Sequence, residues 1–207
     1  MAASRHLVGR DASARIQCVA VLVPALVLCT VLAACSPPAP QAIDLSGSWS
    51  SRSIDDHLIS LSVPANWGAG EAWTQPSSFT DLVDSFSNQS LSAPCMTLSA
   101  GFTCGPPLTS LDSGALLVEV WQNAFPGWTL NSQPGTPTVV SGLPARVSDH
   151  TGAHGLCSSL GADRTRSEVI ARPNAEGNYL EIDICSRGVS DAVGARITAS
   201  IRVSPTA

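Results

Sequence analysis

The sequence predicts a single α+β domain built from several β-strands and two helices. Its composition is the first reason: only 13% of residues are charged, and the 16 glycines and 15 prolines are typical of β-structure with many turns. The second reason is a period of two in hydrophobicity along several short segments. The third is a period near 3.6 in two longer segments.

The first half of the chain contains three predicted strands. Ser48–Ser51 forms a short one, and His57–Val63 forms a second in which apolar residues and serines alternate. Pro64 ends this second strand. Ala115–Gln122 is the most hydrophobic strand, and its β-branched and aromatic residues favour burial in a sheet.

The second half contains two predicted hairpins. Thr138–Val140 pairs with Ala145–Ser148 around a turn at 141–144. Thr165–Ala171 pairs with Tyr179–Ser186 around a turn at 173–178. Both hairpins predict antiparallel pairing.

Helices are predicted in two places. Apolar residues at i, i+3, i+4 and i+7 form one stripe over 77–91: Phe79, Leu82, Val83 and Phe86. Ser190 and Asp191 predict the cap of a final helix that runs to about Ser200. The alternation beyond that point also allows a return to strand.

An apolar run from Val19 to Cys35 follows a basic segment with three arginines and one acid. This layout is typical of a secretory signal, whereas a membrane-spanning helix needs about 20 apolar residues. The run is broken by Pro24 and ends at the proline-rich segment 36–40. We therefore expect targeting outside the cytoplasm.

The end of this run, Leu32-Ala33-Ala34-Cys35, resembles the lipobox of bacterial lipoproteins. The resemblance implies a signal peptide over 1–34, a diacylglyceryl group on Cys35, and acyl chains that hold the protein at the extracytoplasmic face of the cell membrane. A cleaved signal with a chance cysteine and an uncleaved anchor are the alternatives. Residues 35–46 are predicted to form a Pro/Ala tether, and 47–204 a single domain.

Charge and cysteine content narrow the function classes. Beyond residue 34 the chain has 8 arginines, no lysine and 15 acidic residues, so a basic nucleic-acid surface is not expected. The four cysteines that follow Cys35 predict two disulfides in an oxidising compartment. Three pairings exist, and the favoured one joins Cys95 with Cys104 and Cys157 with Cys185.

Three short motifs are similar to the PsbP-like family, which includes LpqN-type actinobacterial lipoproteins: Val63-Pro64-Ala65-Asn66-Trp67, Gly142-Leu143-Pro144-Ala145-Arg146 and Ser200-Ile201-Arg202-Val203. The resemblance covers most of residues 47–204. It implies an antiparallel sheet sandwiched by helices, and proteins that act by binding, without a shared catalytic set or cofactor.

Tryptophans give the leading candidate for a binding site. Trp67, Trp73 and Trp128 are predicted to lie in loops, where they line an apolar pocket or a protein-binding patch. The alternative is that they cover the ends of the sheet. Trp49 and Trp121 are predicted to lie in the core.

Polar candidates have weaker patterns. His150 and His154 have the i, i+4 spacing of a zinc site on a helix, but Gly152 between them favours a loop, so no metal site is predicted. Glu181 and Asp183 are predicted to share the outward face of one strand, either as paired catalytic carboxylates or as a salt-bridge ladder with Arg166.

The function predicted from these features is a non-enzymatic, membrane-anchored binding module for an envelope protein or a hydrophobic ligand. The alternative is an envelope hydrolase that uses His150 or His154. No Gly-x-Ser-x-Gly motif supports a hydrolase.

Overall fold

The structure is a computed structural model that describes residues 43–54, 59–74, 79–92, 95–98, 101–152, 154–172 and 178–204. For 73–74, 95–98, 101–104 and 178 only the backbone is described. All of these residues lie in the second of the two units into which the chain divides, 38–207. The predicted signal peptide, Cys35 and most of the predicted tether lie outside the described residues.

The described part of the chain is mostly β. Its strands are β1 (Trp49–Ile54), β2 (Ile59–Pro64), β3 (Gly68–Ala69), β4 (Trp73–Thr74), β5 (Thr80–Ser87), β6 (Cys95–Leu98), β7 (Gly101–Cys104), β8 (Leu116–Ala124), β9 (Thr136–Val140), β10 (Leu143–Thr151), β11 (Arg164–Ala171), β12 (Asn178–Ser186) and β13 (Arg202–Val203). The α-helix α1 spans Asp191–Ser200, and short 3-10 helices span Leu130–Ser132 and Gly155–Leu160.

Most strands form one eight-stranded antiparallel sheet in the order β3-β5-β8-β12-β11-β10-β9, with β4 also paired to β5. A second sheet has the order β1-β2-β13, and β6 pairs with β7. The two predicted hairpins are present as β9-β10 and β11-β12. The first of them turns at Ser141 and Gly142, whose positive φ angles of 51° and 85° match the type I′ turns that suit twisted strands.

The large sheet has its main core on one face. In the central pair, Val118 lies opposite Ile184 and Val120 opposite Ile182, so all four side chains are on this face. The three-stranded sheet and the apolar side of α1 cover it, and Ile59, Leu61 and Ile197 are almost completely buried there. Burial of each such side chain stabilises the fold by about 1.5–3 kcal/mol.

The predicted sandwich of a sheet between helices is wrong. Among the described residues α1 is the one α-helix, and a second sheet shares with it the same face of the large sheet. The predicted cap of α1 is found, since the side chain of Ser190 accepts a hydrogen bond from the Ala192 amide. None of the helices in the described ranges is long and apolar enough to cross a bilayer.

The helix predicted over 77–91 is also wrong, because Thr80–Ser87 forms β5. A β-bulge between Leu82 and Asp84 explains the misleading spacing. Two residues four apart in a regular strand would share a face, but the extra residue places Leu82 opposite Trp121 and Phe86 opposite Val118, on different faces. Pairing with β8 therefore buries Leu82 and Phe86, two of the four apolar residues that suggested a helical stripe, on opposite faces of the sheet.

A smaller core lies at one end of the other face of the large sheet. Leu111, Leu117 and Leu160 pack there around a disulfide between Cys157 and Cys185. This bond joins the 3-10 helix at Gly155–Leu160 to β12, and it is the pairing that the sequence favours for these two cysteines.

The sequence predicts two disulfides, whereas the side chains that the structure describes form one. Cys95 and Cys104 stand opposite each other across the β6-β7 pair. Their side chains are outside the described set. The sequence shows how far apart these two cysteines are along the chain, but it does not show how their sulfur atoms are placed.

Packing begins earlier than the predicted boundary near Gly47. Ile43 and Leu45 pack against the main core, and the Arg196 guanidinium donates to the Leu45 carbonyl. The same guanidinium lies 3.9 Å from the ring centre of Trp49, which is partly buried. The last part of the predicted tether is therefore attached to the folded body.

Loss of the Cys157–Cys185 bond should destabilise the fold. The double variant Cys157→Ala, Cys185→Ala is expected to lower the free energy of unfolding by about 2–5 kcal/mol, because the unfolded chain gains freedom and a buried contact disappears. Denaturant titration would measure it. Ser158→Ala, in the same 3-10 helix and exposed, is the control, and equal midpoints for both proteins would contradict the expectation.

Candidate functional site

Three carboxylates lie together on the face of the large sheet that is turned away from α1. Asp183 of β12 stands directly opposite Glu119 of β8, and Glu181 is two residues from Asp183 on the same strand. Facing residues of an antiparallel pair have Cβ atoms about 4.5–5.5 Å apart. We call this side of the sheet the carboxylate face.

Burial and mutual repulsion disfavour the charged forms of these carboxyls. Burial, with the Asp183 charge as second cause, raises the pKa of Glu119 and the pKa of Glu181 to about 7. Burial also raises the pKa of Asp183, against a hydrogen bond from Ser167 and the charge of His154. Glu119 and Glu181 therefore change charge near neutral pH.

Local hydrogen bonds hold the carboxylates in place. Asn123 Nδ2 donates to Glu181 Oε2 at 3.0 Å, and Ser167 Oγ donates to Asp183 Oδ1. Two of the three carboxyls thus have a neutral donor, and Arg146, on the same face, donates to the Gly135 carbonyl at the edge of the sheet.

A series of aromatic rings borders the carboxylates. Trp128 stacks on Tyr179 with centroids 4.0 Å apart, Phe125 lies 6.5 Å from Tyr179, and Phe79 lies 5.7 Å from Phe125. Phe79 is 51% exposed and Phe125 41% exposed, so the series continues from the interior to the surface. Burial and the Glu181 charge raise the pKa of Tyr179 to about 12, which keeps its hydroxyl protonated.

Members of both groups line one cavity of about 350 Å³, namely two of the carboxylates and two of the aromatic rings. Phe125, Tyr179 and Leu156 provide apolar walls, whereas Glu181 and Asp183 provide acidic groups. We call this cavity the aromatic–carboxylate pocket. Apolar walls with a few polar groups at fixed positions are typical of small-molecule binding sites.

The structure describes the surroundings of two of the three tryptophans that were predicted to line a binding site. Trp67 lies between β2 and β3, outside both strands, but it is 4% exposed and packs in the main core. Trp73 is in β4, and its side chain is not described. Trp128 stacks on Tyr179, which forms part of the wall of the aromatic–carboxylate pocket. Trp121 is buried as predicted.

The two histidines stack on each other, with ring centres 4.0 Å apart. His150 is in β10 and His154 precedes the 3-10 helix, so they do not share a helix face. Within the described ranges no three His, Cys, Asp or Glu residues are grouped so as to hold a metal ion. Ser167 donates its hydrogen bond to Asp183 and not to an imidazole, whereas the serine of a Ser-His-Asp triad donates to the histidine.

The predicted salt-bridge ladder between Arg166 and the acids of β12 is wrong. Arg166 stands opposite Ile184, so its side chain is on the face covered by α1. There it forms an ion pair with Asp149 at 2.9 Å. The alternation correctly placed Glu181 and Asp183 on the face opposite the main core, but Asp183 is only 3% exposed.

Sequence reasoning missed Glu119, Phe125 and Tyr179. A signal existed for Glu119, since an acid inside the most hydrophobic strand must be buried or lie at a special position. No comparable signal marks the aromatic residues, which meet only through strand pairing. Comparisons with protein-family models and with curated proteins found no match, so the geometry of this pocket carries the functional argument.

Stability should fall as pH rises through the range in which Glu119 ionises. Its pKa is about 7 in the folded protein against an ordinary value of 4.5, so the folded state binds more protons between these values and the free energy of unfolding decreases as pH rises. Glu119→Gln should remove part of this slope and stabilise the protein by roughly 1–3 kcal/mol above neutral pH.

Denaturant titrations at several pH values between about 5 and about 8 would measure this difference. Glu71→Gln provides the control, because Glu71 is exposed. A Glu119→Gln variant with the same pH slope as the parent protein would show that Glu119 is not the group that titrates.

Proposed function

We propose that the protein is a membrane-anchored binding module whose aromatic–carboxylate pocket holds a small organic cation. The observation that carries this proposal is the position of Glu181 and Asp183 beside the rings of Phe125 and Tyr179 in one cavity. The proposal refines the expected hydrophobic ligand, because the pocket offers acidic groups as well as apolar walls.

A protonated amine would complement both parts of the pocket. Its charge would offset the repulsion among the three carboxylates and favour their ionised forms. An ammonium group over an aromatic ring contributes about 0.5–2 kcal/mol, more where water is excluded. An apolar portion of the same ligand would contact Phe125 and Leu156.

The size of the cavity supports a small molecule. Its volume of about 350 Å³ is at the low end of ligand pockets, which span about 300–1,000 Å³. Exposed Phe79 and Phe125 lie at its aromatic end, where a ligand could enter without unfolding the sheet.

The anchor is the second part of the proposal, and the lipobox ending at Cys35 supports it. Ile43 packs on the folded body, and the chain between Cys35 and Ile43 can extend over at most about 30 Å. The pocket would therefore lie close to the outer surface of the membrane. Two or more acyl chains suffice for stable anchoring.

Ligand charge provides a direct test. Phenethylammonium and 2-phenylethanol have the same carbon skeleton and differ in charge. Calorimetry on protein in nonionic detergent should give at least about tenfold tighter binding for phenethylammonium, which corresponds to about 1.4 kcal/mol. Glu181→Gln and Asp183→Asn should each remove most of this preference.

Val139→Ala is the matched control, because Val139 is 67% exposed and is not part of this pocket. Its affinity for phenethylammonium should equal that of the parent protein. Equal binding of the amine and the alcohol, or unchanged binding by a folded Asp183→Asn variant, would contradict a cation site.

The anchor has an independent test in a bacterial host that processes lipoproteins. Mass spectrometry of the mature protein should show an acylated Cys35 at the amino terminus, and Cys35→Ala should move the protein from the membrane fraction to the soluble fraction or leave an uncleaved precursor. A mature protein without acyl chains would overturn the anchor while leaving the pocket unaffected.

A further inference from the structure

A second cavity of about 280 Å³ lies on the opposite side of the large sheet, between the last turns of α1 and strands β9 and β11. Ala195 and Ala199, one turn apart on α1, line it with small side chains. The polar groups around it are Thr138, Ser141, Arg166, Glu168, Thr198 and Arg202.

Glu168 is the notable member of this set. It is 4% exposed, and its Oε2 atom is buried without a hydrogen-bond partner in the described structure. Its neighbours across the sheet, Val147 and Ile182, offer no side-chain donor. Leaving a buried acceptor unsatisfied costs about 1–3 kcal/mol, so a donor is expected to approach this atom from the cavity.

The remaining polar groups are mainly donors. Thr198 Oγ1 accepts from Arg166 Nε at 2.9 Å, and Ser141 Oγ accepts from the Val203 amide at 2.9 Å. Each hydroxyl has therefore already accepted a bond and keeps its own proton to donate.

Two guanidinium groups add further donors. Arg202 Nη1 donates to the carbonyls of Ala199 and Ile201, and Arg166 Nη1 donates to Asp149. Since a guanidinium has five N–H donors, each arginine retains some for another acceptor. Arg202 is exposed, which places these donors at the mouth of the cavity.

We propose that this cavity binds a small polyhydroxylated carboxylic acid of the sugar-acid class. Its carboxylate bonds to Arg202 at the mouth, and one of its hydroxyl groups donates to Glu168 in the interior. The hydroxyls of Thr138, Ser141 and Thr198 bond to the other hydroxyl groups of the ligand.

Each other simple ligand class leaves part of the cavity unmatched. An inorganic anion without a hydroxyl, such as sulfate, satisfies the arginines but gives Glu168 no donor, and a plain cation is repelled by two guanidinium groups. The volume equals that of about nine water molecules at about 30 Å³ each, which accommodates a six-carbon acid. The proposal is independent of the cation site, because the two cavities share no lining residue.

Three matched probes test the proposal: D-gluconate, hexanoate without the hydroxyls, and D-glucitol without the carboxylate. Calorimetry on the full chain in nonionic detergent should show gluconate binding at least about tenfold tighter than either other probe. Glu168→Gln should weaken gluconate binding about tenfold and leave the weak hexanoate binding unchanged, whereas Arg202→Gln should weaken both.

Thr198→Val removes a hydroxyl at nearly constant volume and should also weaken gluconate binding. It tests the same cavity if Glu168→Gln does not fold. Arg164→Gln, at an exposed arginine outside the cavity, and Asp183→Asn, in the other pocket, should leave the gluconate affinity unchanged. Failure of gluconate to bind, hexanoate binding as tight as gluconate binding, or full affinity in folded Glu168→Gln and Thr198→Val would each overturn the proposal.

Discussion

The pairing of β8 with β12 is the constraint on which the rest of the structure depends. Nine consecutive residues of each strand are in register, so every side chain at the centre of the large sheet is assigned to one of two faces. Val118 and Ile184 are placed on the side that α1 and the small sheet cover, while Glu119 and Asp183 are placed on the other. A shift by one residue would exchange the two sets, and the apolar core makes that exchange very unfavourable.

The carboxylate face is therefore stabilised by the main core, which lies on the other face of the same sheet. Glu119 and Asp183 are buried opposite each other, an arrangement that opposes folding through desolvation and repulsion. The apolar residues on the other side of the same strands stabilise the pairing that brings the two acids together. Rigid strands are a favourable support for a binding site, because they fix polar groups in place before a ligand arrives.

The sequence predicted most strands but not the layers. Periods of two correctly located the β11-β12 hairpin and the buried β8, and the Ser190 cap located α1. The helix predicted over 77–91 failed because a bulge imitates helical spacing, and local pattern does not show which strand a segment will pair with. The site was anticipated only in part: Glu181 and Asp183 were assigned to the correct face, but Glu119, Phe125 and Tyr179 were not connected with them.

The sequence by itself determined the short-range features of this protein: the apolar run ending at Cys35, the alternation of the strands and the start of the last helix. These depend on neighbours within a few positions, which the sequence displays directly. Only the tertiary structure decided that Trp67 is in the core, that Arg166 and Glu181 lie on opposite faces, and that aromatic rings line one cavity with two carboxylates. The physical reason is that strand pairing joins residues far apart in the chain, and its register follows from the packing of the whole core.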